Sequence, residues 1–174
     1  MSYKVESDFD YKGLRCVVIL SGMGHRCGYV GIQKGHPLYG KKYSDNCKIL
    51  LKSTIENEPI GECGIIPLMC MGNSEYTSPE CYFNVHGGVT YSNGGSNSKY
   101  PVESDLWWFG FDCAHCNDGK DYKTALKYGL ITKEAYTYLT ELDKMYPVDE
   151  TIRTQEYVEN QCKNFAEQLL KFTY

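Results

Sequence analysis

Three short stretches carry residues whose types and spacing suit chemistry. His86-Gly87-Gly88-Val89-Thr90-Tyr91 sets a histidine before a glycine pair. Trp107-Trp108-Phe109-Gly110-Phe111-Asp112-Cys113-Ala114-His115 ends an aromatic run in an aspartate and a histidine. Gly35-His36-Pro37-Leu38-Tyr39-Gly40-Lys41 is a proline-stiffened loop presenting His36, Tyr39 and Lys41. Glycines let a ligand approach backbone amides, aromatic rings offer stacking faces, and histidine and aspartate read polar groups or move protons. The mixture suits a pocket better than a core. In this reading the Gly87 and Gly88 amides, with Thr90, contact a phosphate or carbonyl oxygen. A histidine closing a strand before a turn is the plain structural alternative for His86. Asp112 pairs with Arg26, a lysine or a histidine, caps the next turn, or is exposed at the sheet's end, because carboxylates are rarely buried unpaired.

Cys113-Ala114-His115-Cys116 places three ligand-type side chains in four residues. A structural zinc site needs a second pair at similar spacing. Cys63 and Cys70 are too far apart, and His25 and Cys27 too close, to supply it, so no metal and no cofactor are expected. The chain has nine cysteines. The N-terminus lacks the pattern of a signal peptide, so reduced, mostly buried thiols are expected rather than a disulfide framework.

Positioning these stretches requires strands early and helices late. Leu14–Leu20 is an apolar β-rich run, and Cys27–Ile32 reads as its hairpin partner, with glycines marking a bulge or a close approach. Residues 47–60, with the run Cys47–Leu51, can form a further strand, 61–80 a long loop, and Tyr82–His86 a strand entering the glycine pair. Residues 92–99 are low in complexity and read as mobile. From Leu106 to Asp112 a period of two puts Trp107, Phe109 and Phe111 on one face and Trp108, Gly110 and Asp112 on the other. Asp121, Thr132 and Thr154 each precede a helical pattern they can cap. Gly129 ends the first of these helices. Ala135, Tyr138, Leu139 and Leu142 share a face of the second, and Val158, Cys162, Phe165, Leu169 and Phe172 a face of the third. The reading is a single α+β domain, 1–174, with a mixed or antiparallel sheet from the N-terminal two-thirds and two to three C-terminal helices packed on it.

Length and charge narrow the partners. The chain of 174 residues can bury a sizeable core in one domain. A net charge of −4 gives no support to binding of duplex nucleic acid or an anionic membrane surface. No apolar run approaches the ~20 residues of a membrane span. A cytoplasmic protein is expected.

In order, Arg26-Cys27-Gly28-Tyr29-Val30-Gly31, Gly35–Lys41, His86–Tyr91, Trp108–His115 and Glu156-Tyr157-Val158 resemble a set of small proteins commonly encoded by phages and prophages. The resemblance spans roughly residues 26 to 170. It implies the cytoplasm of a host cell as the place of action. It also implies a counter-defence role on a nucleotide immune signal, such as a cyclic ADP-ribose variant or a cyclic dinucleotide.

Three expectations follow. In the first, the protein sequesters a small nucleotide: Tyr29, Tyr39, Tyr91 and Trp108 stack on the base, Arg26, Lys41, Gly87, Gly88 and Thr90 hold phosphates, and His36, His86, Asp112 and His115 read ribose or base edges, in a possible homo-oligomer. In the second it is a metal-independent phosphodiesterase, with His86 and His115 as general base and acid and Asp112 orienting one of them. In the third it is a protein-binding inhibitor or virion accessory component, and the motifs hold a core.

Overall fold

The computed structural model describes residues 2–54 and 75–172. In chain order these form β1 (Tyr3–Tyr11), β2 (Leu14–Ser21), β3 (Arg26–Ile32), β4 (Cys47–Leu51), β5 (Tyr76–Thr77), α1 (Pro79–Tyr82), β6 (Tyr91–Gly94), β7 (Trp107–Asp112), β8 (Asp118–Gly119), α2 (Tyr122–Lys127), α3 (Lys133–Met145), β9 (Thr151–Ile152) and α4 (Gln155–Leu170). Strands β1, β2, β3, β7 and β6 lie side by side in that order in one antiparallel sheet. The architecture is α+β, as the order of elements in the sequence predicts. Among the described residues, no helix is long and apolar enough to cross a membrane.

The sheet has two filled faces. Leu14, Cys16, Val18, Val30, Phe109 and Phe111 face α4, which lays Val158, Cys162, Phe165 and Leu169 over them. Val17, Ile19, Tyr29 and Trp108 face the other way. There Tyr3, Tyr29, Tyr91 and Tyr100 meet edge to face, with centroids 5.1–5.5 Å apart. The period of two in β7 therefore sorts its aromatics as expected. Gly28 is the close approach the sequence suggests: a Cβ there would lie 2.4 Å from the Phe111 ring and 2.7 Å from Cys162 Sγ.

The three helix caps hold. Asp121 accepts from the Thr124 amide at 3.0 Å, Thr132 from Ala135 at 3.2 Å and Thr154 from Tyr157 at 3.2 Å. Only α4 buries a broad apolar stripe on the sheet. Helix α3 buries no residue, leaves Tyr138 66% exposed, and packs mainly against α2. Both sheet faces are already covered, so its apolar stripe finds no place there.

Four further readings need correction. Tyr82–His86 is not a strand: Tyr82 ends α1, and 83–86 runs irregularly. Phe83 and Val85 do point inward, but Asn84 satisfies its backbone on Gln168 of α4 instead of a ladder, its amide at 2.9 Å and its carbonyl at 2.8 Å. Of the loop expected over 61–80, residues 61–74 lie outside the described residues, and the rest holds β5 and the start of α1. The polar stretch 92–99 supplies most of β6, because pairing with Trp107–Phe109 satisfies its backbone. Lastly, β1 was not anticipated. Its Lys4, Asp8 and Asp10 face water, as suits an edge strand, and mask its apolar alternation.

Among the described residues seven cysteines are free, and only Cys116 is exposed.

Candidate functional site

At the end of β7 four separate pieces of chain converge. Strand β7 stops at Asp112, and a turn closed by the Asp118 amide on the His115 carbonyl, 3.0 Å, leads into β8. Parallel pairing of β8 with β9 sets Asp118 opposite Thr151, which places Arg153 two residues beyond. Thr154 then caps α4 and brings Tyr157 into its first turn. The fourth piece is the His86 turn, where Gly87 and Gly88 both take positive φ, 68° and 86°.

Asp118 is the hub. Its side chain is 1% exposed. Oδ1 accepts from Arg153 Nε at 2.8 Å, and Oδ2 accepts from His86 Nε2 at 2.7 Å and from the His115 amide at 3.0 Å. Burial would raise its carboxyl, but the Arg153, His86 and His115 bonds outweigh burial and hold it below the usual range. With the Nε2 proton directed at Asp118, His86 Nδ1 accepts from the Tyr157 hydroxyl at 3.0 Å. The Arg153 guanidinium lies 5.1 Å from the centre of the Tyr157 ring.

His115 is the open member. Its side chain is 36% exposed, with Nδ1 3.6 Å from Asp118 Oδ2 and 4.0 Å from Asp112 Oδ1. Its ring lies against Gly87, where a Cβ would sit 2.0 Å from Cε1. Glycine at 87 therefore serves two needs at once, the left-handed turn and the room for this imidazole. Asp112, itself partly exposed, accepts from Thr90 Oγ1 at 2.8 Å.

The expected site residues divide. His86, Gly87, Thr90, Asp112 and His115 come together, and the Gly88 amide closes the same turn on Val85. The orienting carboxylate of His86 is Asp118, not Asp112. His36 is elsewhere: Nδ1 accepts from the Leu38 amide and Nε2 donates to the Leu169 carbonyl, near the far end of α4. From Tyr157 to Leu169 the helix rises roughly 18 Å. Tyr39 and Lys41 bracket Trp107, one by ring contact and the other by accepting its indole N–H on a backbone carbonyl. Tyr29 and Trp108 are buried in the face opposite α4, and Tyr91 is partly buried against Tyr29.

No known protein family, curated protein or solved structure matches this chain. The site is therefore read from its own chemistry.

Arg26 belongs to the support of the site. Its buried guanidinium pairs with Glu6 at 2.6 Å and Asp121 at 3.0 Å, and Nη1 donates to the Arg153 carbonyl at 3.0 Å. It thus anchors the backbone of the residue that pairs with Asp118. Asp118, Arg153 and Tyr157 complete the cluster without being among the site residues expected from sequence. The spacing His115-x-x-Asp118 inside one turn was a usable signal, and Tyr157 stands in one of the quoted stretches. His25, the remaining histidine, borders a cavity of about 230 Å³ lined also by Tyr3, Ser21, Cys27 and Tyr100. Burial lowers its pKa, while the charges of Asp112 and Asp118 pull the other way.

Chemically, the cluster combines a buried carboxylate, an arginine partly open to solvent, a hydroxyl and two imidazoles, one of them at the surface. Such a set can activate water and hold an anion.

Proposed function

We propose that this cluster hydrolyses a small phosphate ester. The observation that carries the reading is the wiring of Asp118: one buried carboxylate binds His86, Arg153 and the His115 amide together, while the His115 ring stays open. Buried charged networks seldom repay their desolvation in stability, and they gather at functional sites. Arg153, partly exposed, is placed to pair with phosphate oxygens. The histidine–aspartate centre beside it activates water. Water's oxygen bonds to phosphorus, the ester P–O bond breaks, and the leaving oxygen takes up a proton.

Capture without turnover gains less support. A sequestering pocket needs free stacking faces and free cations, whereas Tyr29 and Trp108 are core and Arg26 is spent on Glu6 and Asp121. A nucleotide signal of the kind the phage resemblance implies is the first substrate to offer.

The test is incubation with a panel of phosphate mono- and diesters, including cyclic dinucleotides and cyclic ADP-ribose isomers, followed by denaturation and mass spectrometry. At least one ester should be cleaved, and His115→Ala should slow cleavage by ~10²–10⁴ with the fold intact. Release of intact ligand would make the protein a sequestrant, and failure to bind or cleave any ester would end the reading.

A further inference from the structure

We infer that His86, His115 and Asp118 bind one divalent transition-metal ion, with zinc the representative ion. One ligand atom from each lies within 4.8 Å of the other two. His86 Nε2 and Asp118 Oδ2 are 2.7 Å apart, and His115 Nδ1 is 3.6 Å from the same oxygen. Two ligands of a tetrahedral zinc, each at about 2.0–2.1 Å, stand about 3.3 Å apart. These separations bracket that value, so small side-chain shifts seat the ion. It takes the place of the proton on His86 Nε2, and the ring stays neutral as its other tautomer, with Nδ1–H donating to the Tyr157 hydroxyl oxygen.

The surroundings match what a bound ion requires. Ligating histidines and carboxylates are normally fixed by outer partners on their remaining atoms. Tyr157 holds the other nitrogen of His86, and Arg153 holds the other oxygen of Asp118. The His115 amide donates to Asp118, which ties the third ligand to the second. Gly87 leaves room for the His115 ring and packs against it. Two imidazoles and one carboxylate suit zinc, cobalt, iron or manganese better than calcium or magnesium. The neighbouring Cys113 is buried in the core that α4 covers. Three protein ligands leave a coordination position for water on the side where His115 is exposed. Asp112 lies beside it.

Zinc uptake is measured without any ester, so it stands apart from hydrolysis. Protein stripped with a chelator is titrated with Zn²⁺ by calorimetry and with Co²⁺ by visible absorption. One ion per chain is expected, with cobalt bands of a low-coordinate nitrogen–oxygen site. His115→Ala and Asp118→Ala should each weaken uptake by at least the ~10–100-fold that loss of an outer partner alone costs. His36→Ala should leave it unchanged. If Asp118→Ala does not fold, His115→Ala decides, because it trims a partly exposed ring. No uptake of either ion by the wild type overturns the inference, as does uptake equal in wild type and His115→Ala. Uptake without cleavage of any ester sinks hydrolysis and leaves the ion site. Cleavage by protein that takes up no ion does the reverse.

Discussion

Two of the histidines that stand beside glycines, His36 and His86, end in opposite circumstances. His36 gives both ring nitrogens to backbone: the Leu38 amide on one side and the Leu169 carbonyl on the other. His86 gives both to ionisable side chains, Asp118 and Tyr157. A ring held by two amide groups is fixed as a neutral strut that pins a loop to the end of α4. A ring held between a carboxylate and a phenol sits in a network whose charge can be redistributed. What separates a strut from a site is the partner at the far end of the hydrogen bond, and local sequence does not name that partner. Gly35-His36-Pro37 and His86-Gly87-Gly88 look alike until α4 is folded against both.

The sharpest way to break this contrast is to remove the charge from the His86 side alone. Asp118→Asn keeps the size of the hub but leaves Arg153 and His86 without their anion. Turnover of the cleaved ester should fall by ~10²–10⁴. His36→Ala, assayed beside it, should retain wild-type turnover per folded molecule. Equal losses in both variants would mean that the two histidines serve the same structural end.

A second contrast lies between the two arginines. Arg153 has one carboxylate partner and 29% of its side chain exposed. Arg26 is buried, with its nitrogens divided among Glu6, Asp121 and the Arg153 carbonyl. Arg26→Ala leaves Glu6, whose side chain is 1% exposed, as an uncompensated buried carboxylate. That should cost ~3–5 kcal/mol in a denaturant titration, the range for breaking a buried pair. Arg153→Ala should cost less, because Asp118 keeps its bonds to His86 and the His115 amide, while abolishing most turnover. A loss below about 1 kcal/mol for Arg26→Ala would show that its carboxylates rearrange freely, and that Arg153 needs no anchor.

The fold was largely legible because its signals are local. The apolar run Leu14–Leu20, the alternation of Leu106–Asp112, and the caps Asp121, Thr132 and Thr154 need only neighbours in sequence to be read. The failures are places where a distant element supplied the partner. Asn84 bonds to Gln168 rather than to a strand, and the face of α3 is left open because α4 already occupies the sheet. The site divides in the same way. His86, Asp112 and His115 were recognisable by type and by flanking glycine or aromatic residues. Asp118 and Arg153 sit in plain polar surroundings, and only the pairing of β8 with β9 makes them partners. Arg26, Tyr29 and Trp108 have the chemistry to contact a ligand, yet Arg26 spends it on Glu6 and Asp121, Tyr29 on Tyr100 and Trp108 on Ser104.

The smallest expected effect concerns the strut itself. Burial lowers the pKa of His36, and its bond to the Leu169 carbonyl only partly offsets this. The folded protein therefore prefers the neutral ring more than the unfolded chain does. In the unfolded chain histidine titrates near pH 6.5. Below that value the unfolded state binds a proton that the folded state resists, so stability falls with falling pH. Above it the contribution of His36 is fully present, and it is lost as the pH drops through the folded value. His25 shifts in the same direction for the same reason, so the wild-type curve alone does not isolate His36. Comparison with His36→Ala does, because His25 is common to both. At pH 8 the variant should be less stable by ~1–3 kcal/mol, from two lost hydrogen bonds. The gap should narrow steadily below pH 6.5 as the wild type gives up the advantage of its neutral ring. A gap that stays constant from pH 8 to 5 would mean that His36 takes up its proton equally in both states. The Leu38 and Leu169 bonds would then be no constraint on its charge, and the distinction between strut and site would rest on His86 alone.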